Sequence, residues 1–210
     1  MIEVNINQLV GILTEQILKE FIEVEASGRH VHLNRAAIDQ LFGKGYKLTK
    51  DRDLSQPGQF VCKERVAVIG PKGRFENVVI LGPERSETQV EISLTDSIAL
   101  GVKAPIKESG NLSGTPPIKL ATHLGEIDLE YGVIAAKRHI HMNPDDAVRF
   151  DVKDKNIVRV QLYGNRPLIF DDVLIRVSDK YRTYMHIDYD EANACGFEKG
   201  TLARIIKKGT

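Results

Sequence analysis

Five of the six histidines in this 210-residue chain fall into two related settings. His30 and His32 form one His-x-His pair, and His139 and His141 form another. In extended chain alternate side chains share a face, so each pair can aim two imidazoles at one point, which is metal-ligand geometry. One such pair alone is ordinarily a surface or hydrogen-bonded feature. The duplication argues for metal. Residues 24–34 and 133–143 match at six of eleven positions, His139 following His30 by 109 residues. A second self-match pairs residues 89–93 with 184–188 and continues through Ala99 with Ala194 and Gly101 with Gly196. It lays Glu91 over His186, so each copy of the repeat presents a further titratable group at the same point.

The ligand sets predicted in this way are His30, His32 and Glu91 in one half, and His139, His141 and His186 in the other. His₂Glu and His₃ sets are typical of catalytic zinc, where three protein ligands leave one position open; structural zinc is closed by a fourth ligand, usually a thiolate. Cys62 and Cys195 lie near neither set in sequence, and His123 reads as an ordinary loop or strand histidine. Arg29 and Arg138 precede the two His pairs, while Arg85 and its counterpart Lys180 lie six residues before each third ligand. Any of these cations can meet an anion or a surface carboxylate. The planar fork of arginine, suited to phosphate oxygens, favours Arg85 over Lys180 as a phosphate clamp.

The elements that must position these groups read as mainly β. Strands are expected at Phe60–Ile69, Phe75–Leu81, Gln89–Ser93, Tyr131–Ala136, Asn156–Leu162, Leu168–Val177, Thr183–Ile187 and Thr201–Ile206, punctuated by turn sequences such as Gly70-Pro71-Lys72-Gly73 and Gly164-Asn165. Short helices are expected at Arg35–Phe42, Leu94–Leu100, Pro144–Phe150 and Tyr189–Cys195, with Thr95 and Asn143 as caps of the second and third. From Asn7 to Phe21 apolar residues recur at three- and four-residue steps, an amphipathic helix that either packs on the body or docks on a partner. The stretch Glu108–Pro117, rich in Gly, Ser, Asn and Pro, reads as a linker or long loop near the boundary between the halves.

Bulk properties narrow the function. With 29 basic and 29 acidic residues the chain has no overall field for nucleic acid or an anionic membrane. Two distant cysteines give no disulfide framework, and the N-terminal residues lack a basic n-region, so a reducing cytoplasmic setting is expected.

The motifs Gly28-Arg29-His30-Val31-His32-Leu33, Gly82-Pro83-Glu84-Arg85 with Gln89-Val90-Glu91, and Arg138-His139-Ile140-His141-Met142 resemble the PduL-type phosphate acyltransferases, the phosphotransacylases of propanediol-degrading bacterial microcompartments. The resemblance covers residues 23 to 207 with its motifs in order. It implies reversible transfer of a short acyl group, propanoyl or acetyl, between coenzyme A and inorganic phosphate. The implied fold is two small β-barrels related by internal duplication, with short helices and an N-terminal helix. On that pattern residues 1–22 form the helix, 23–136 the first repeat, and 137–210 the second, whose barrel is completed by the strand near Val24. The resemblance further implies two zinc ions per chain: His30, His32 and Glu91 on the side of the CoA sulfur, and His139, His141 and His186 at the second ion. Arg85 matches the phosphate-binding residue. Zinc on the sulfur would stabilise the leaving thiolate, and phosphate itself would attack the thioester, with no side-chain nucleophile. No motif marks contacts to adenine or pantetheine. The implied partners are acyl-CoA and phosphate, a second copy of the chain, and microcompartment shell or lumen proteins reached through the N-terminal helix. Two other readings keep the same ligands: a binuclear zinc hydrolase, and a non-catalytic metal-containing double-barrel binding module.

Overall fold

A computed structural model of the chain describes residues 6–206. The first half runs α1 (Ile6–Leu18), β1 (Ile22–Ser27), β2 (His30–His32), α2 (Arg35–Phe42), β3 (Lys50–Asp53), β4 (Phe60–Ile69), β5 (Arg74–Gly82), β6 (Gln89–Glu91), α3 (Leu94–Leu100), β7 (Ile106–Lys107), β8 (Ile118–Ala121), β9 (Glu126–Leu129) and β10 (Val133–Ala136). The second runs β11 (His139–Met142), α4 (Pro144–Phe150), β12 (Ile157–Tyr163), β13 (Leu168–Val177), β14 (Tyr184–Asp188), α5 (Tyr189–Cys195) and β15 (Leu202–Ile206). The fold is therefore mainly β, with helices short except at the N-terminus.

The chain folds as two compact units. One comprises Ala26–Arg138 with Ile187–Asn193; the other comprises the residues up to Glu25, His139–His186, and those from Ala194 on. In the first unit the strands form a nine-stranded sheet in the order β7-β10-β6-β2-β5-β4-β8-β9, with β3 added on β4. Its hydrogen bonding does not close, because the outer strands β7 and β9 each pair on one side among the described residues. In the second unit β1-β14-β11-β13-β12-β15 close into a barrel. β1, which carries Val24, completes it by pairing antiparallel with β15.

Alternation decides what each ligand strand buries. Val31, Ile80 and Val90 enter the core of the first unit with Ala37, Ile38 and Leu41 of α2, all essentially inaccessible, which leaves His30, His32, Gln89 and Glu91 to the opposite face of β2 and β6. A helix of eight residues is held by such packing rather than by propensity, and truncating Leu41 to alanine removes about 2–5 kcal/mol. The barrel core is built from Ile140, Met142, Ile175, Leu162 and Met185.

Turn chemistry holds where it was expected. Gly70 and Gly73 close the β4–β5 turn through Gly70 N to Gly73 O at 2.9 Å, and a Cβ on Gly70 would lie 2.2 Å from the Leu100 carbonyl oxygen. Two expectations are corrected. The cap of α3 is Ser93, not Thr95, because the Ser93 hydroxyl reaches the Asp96 N–H in a reciprocal capping box. The strand reading also omits β3, β7, β8 and β9: β3 is Lys-Asp-Arg-Asp, exposed at every position, and carries no alternation to read. In α1 the apolar Val10, Leu13, Ile17 and Leu18 are more than half exposed. No helix among the described residues is long and apolar enough to cross a membrane.

Candidate active site and metal centres

His30 and His32 leave β2 on one face and meet Glu91, which stands directly opposite His30 in the antiparallel β2–β6 pairing, while His32 stands opposite Gln89. The imidazole rings lie 5.0 Å apart at 88°. Each Nδ1 donates to a carbonyl: His30 to Gly28 at 2.8 Å and His32 to Leu81 at 3.1 Å. These partners assign the tautomer, which leaves both Nε2 lone pairs directed at the carboxylate. His30 Nε2 is 3.5 Å from Glu91 Oε2, and His32 Nε2 is 3.7 Å from Oε1. A tetrahedral ion with bonds of about 2.0–2.1 Å sets its ligand atoms about 3.3 Å apart. The cluster therefore has the donors, spacing and backbone-tethered imidazoles that zinc requires.

Its electrostatics point the same way. All three side chains are buried. Burial alone would raise the Glu91 carboxyl, but the His30 and His32 imidazoles and the Ser109 hydroxyl outweigh it and hold Glu91 far below the usual carboxylate range. Burial lowers His30, yet the Glu91 carboxylate and the Gly28 carbonyl leave it raised. His32, buried and beside His30, is pushed down to about 3. The buried Glu91 carboxylate thus favours positive charge at this point, which a divalent cation can supply.

The network around Glu91 contains residues that sequence reasoning did not single out. The Ser109 hydroxyl donates to Glu91 Oε1 at 2.9 Å and accepts from Arg85 Nη1 at 2.9 Å and Gln89 Nε2 at 2.8 Å. Gln89 also donates to Glu91 and accepts from the Gly110 N–H. The Ser/Gly-rich stretch 108–117 thus places Ser109 and Gly110 against the first cluster. Arg85 is anchored by its own backbone, its N–H donating to Leu33 O at 2.9 Å. Its guanidinium reaches the ligand cluster through the Ser109 hydroxyl.

The second cluster repeats the register. β11 and β14 pair antiparallel with His139 opposite His186, and His141 opposite Tyr184. The three rings lie 4.6, 5.2 and 4.9 Å apart by centroid, and each offers a nitrogen to a group whose ligand atoms lie within 4.8 Å of one another. His186 Nδ1 lies 3.7 Å from a Glu25 carboxylate oxygen, a charge contact longer than a hydrogen bond. Parallel neighbours correspond as well: β2 sets His30 beside Val79, and β11 sets His139 beside Leu174, 95 residues on.

The remaining sequence candidates are distributed differently. Arg29 and Arg138 hold carboxylates of the protein itself, Asp96 and Glu191. Lys180 is exposed, and His123 lies in the β8–β9 turn outside both clusters.

Comparison with known proteins shows that the chain is an acyltransferase. The family model for phosphate propanoyltransferase matches residues 23–198. A phosphate propanoyltransferase of Clostridioides difficile (strain 630) is 64% identical over 97% of this chain and 98% of its own length. One from Listeria monocytogenes is 58% identical over 96% and 97%, and one from Thermotoga maritima 53% identical over 89% of each. The chain belongs to the phosphate propanoyltransferase family.

Proposed function

We propose that the protein is a zinc-dependent phosphate acyltransferase, which reversibly converts a short acyl-CoA, propanoyl or acetyl, plus inorganic phosphate to the acyl phosphate plus CoA. The observation that carries this reading is the His30–His32–Glu91 cluster, whose tethered imidazoles face a buried carboxylate at ligand spacing. His30, His32 and Glu91 would hold the ion on the thiol side, and His139, His141 and His186 the second. When bound, zinc supplies a Lewis acid where negative charge develops on the departing sulfur.

The chain's own groups do the rest. Arg85 presents a guanidinium fork to phosphate, and Ser109 fixes the position of that fork relative to Glu91. Holding phosphate in one orientation supplies much of the rate by positioning. A covalent acyl-enzyme has no candidate in the cysteines, since Cys62 and Cys195 are both buried. The matching registers of β2 with β6 and of β11 with β14 support an origin of residues 23–136 and 137–210 by duplication of one small domain. The exposed apolar residues of α1 support its use as a contact for microcompartment shell or lumen partners of a cytoplasmic enzyme.

Purified protein is incubated with propanoyl-CoA, with and without phosphate, while free thiol and acyl phosphate are followed and metal is counted. Phosphate-dependent CoA release and about two zinc ions per chain are expected. CoA release without phosphate would make the protein a hydrolase, and fewer than one zinc per chain would remove the metal from the reading.

A further inference from the structure

The two arginines that precede the His-x-His pairs are engaged in the same way. Arg29 grips Asp96 with both sides of its fork, Nε to Oδ2 at 3.0 Å and Nη2 to Oδ1 at 2.6 Å. Its guanidinium also lies 4.0 Å from the centre of the Phe75 ring. Asp96 is the third residue of α3, and its carboxylate returns to the Ser93 N–H while the Ser93 hydroxyl accepts from the Asp96 N–H. Arg138 donates to Glu191 Oε1 at 2.6 Å. Glu191 is the third residue of α5, and its other oxygen accepts from the Asp188 N–H while Asp188 accepts from the Glu191 N–H.

Each acid lies five residues after a third ligand, Asp96 after Glu91 and Glu191 after His186. In both copies, then, an arginine next to the first ligand is tied to the capping box of the helix that follows the strand bearing the third ligand. The internal repeat is a replicate of the observation. The acid changes from aspartate to glutamate and the N-cap from serine to aspartate, but the connection persists. Capping alone does not need the arginine, since a capping box is complete without it. The connection ties the approach to each His-x-His strand to the helix that follows the third-ligand strand, at the end of the ladder where His30 faces Glu91 and His139 faces His186.

We infer that Arg29 with Asp96, and Arg138 with Glu191, are positioning residues that hold each His-x-His strand at ligand distance from its third ligand, one clamp for each metal centre. The inference rests on the metal reading above. Each clamp raises the affinity of its own centre by presenting the ligands already spaced. A partner that hydrogen-bonds a ligand directly is worth about 10–100-fold in metal affinity, and a clamp acting through the strands is expected at the lower end of that range.

The test uses one-site proteins, His186→Ala retaining the first centre and Glu91→Ala the second, titrated with zinc against a chromophoric chelator, with the melting temperature of each metal-free protein measured alongside. In the His186→Ala protein, Arg29→Ala and Asp96→Asn are each expected to weaken zinc about 10-fold, with Arg29→Lys intermediate because it keeps the charge and loses the fork. Arg138→Ala should leave that affinity unchanged and weaken zinc in the Glu91→Ala protein. The Arg29→Ala, Asp96→Asn double variant should be no weaker than the worse single one. Zinc affinities unchanged in every variant, with only the metal-free melting temperature lowered, would overturn the inference and leave the pairs a purely structural role. Equal weakening of both centres by each variant would overturn the one-clamp-per-centre assignment. Absence of zinc binding by the unsubstituted chain would instead overturn the metal reading itself.

Discussion

His30 stands directly opposite Glu91 on the β2–β6 ladder, with Nε2 3.5 Å from Oε2, so the backbone rather than a flexible loop sets the distance between these groups. Glu91→Gln keeps the shape of the side chain and removes its charge. Metal content is expected to fall from about two ions per chain to about one. Acyl transfer should fall by on the order of 100-fold or more, because loss of a ligand exceeds the 10–100-fold typical of an outer partner. Metal analysis and initial rates on one preparation decide it; retention of both ions would remove Glu91 from the centre.

In the proposed function Arg85 holds phosphate through its fork. Arg85→Ala should raise the KM for phosphate and lower kcat/KM by about 10- to 100-fold, the size of a lost hydrogen bond to a charged group. The KM for acyl-CoA should stay within about twofold of the original. Arg85→Lys restores charge without the second donor and should fall between. An unchanged phosphate KM in Arg85→Ala contradicts the assignment.

The thiols should be silent. Burial, aided by the Glu64 carboxylate, pushes the Cys62 thiol up to about 11. A thiol raised and buried in this way is a poor nucleophile at neutral pH. Cys62→Ala and Cys195→Ala should each retain transfer within about threefold, and native protein should resist thiol reagents until it unfolds; an acyl group trapped on either sulfur would refute phosphate attack.

The metal-free protein should lose stability toward acid through His32. In the folded chain this imidazole stays neutral down to about pH 3, whereas in the unfolded chain it takes a proton near 6.5. The unfolded state therefore binds more protons between these values, and stability falls as pH drops from 6.5 toward 3, by at most about 1.4 kcal/mol per pH unit. His30 has the opposite sign: its folded pKa is raised, so its contribution is present below 6.5 and is lost as pH rises through the folded value. Urea unfolding of metal-stripped His32→Gln should give a flatter profile between pH 6.5 and 3 than the unsubstituted chain. Identical profiles would mean that His32 does not stay neutral.

Much of this site was legible because imidazoles are scarce and their spacing speaks directly. Two residues apart on a strand means one face, and the internal repeat supplied Glu91 and His186 although both are distant from the His pairs in sequence. The helices at Arg35–Phe42, Leu94–Leu100, Pro144–Phe150 and Tyr189–Cys195 were equally readable, from flanking turn residues and apolar spacing. Ser109 was not. A hydroxyl in a stretch of glycine, serine and proline has no periodicity and no titration signature, and its partners Arg85, Gln89 and Glu91 reach it only after folding. The roles of Asp96 and Glu191 were hidden for another reason: each looks like an ordinary first-turn acid, and only the structure shows an arginine from the His-x-His approach on its carboxylate. The closed barrel depends on β1, which joins β15 from the far end of the chain, a pairing that no local pattern encodes.

The shared register has a consequence for how such a protein can change. At one ladder position stands Glu91 and at its twin stands His186, while the histidines opposite are the same and the backbone partners correspond. That position is an interchangeable socket: its occupant alters the charge of the centre by one unit without moving the frame that measures out the distances. A gene duplication that copied the frame would have delivered two equivalent sets of donor groups, and a substitution at one socket would be enough to make them unequal. Grafting Glu91→His onto the present chain would return it to symmetry, an experiment in reversing divergence rather than in breaking an enzyme.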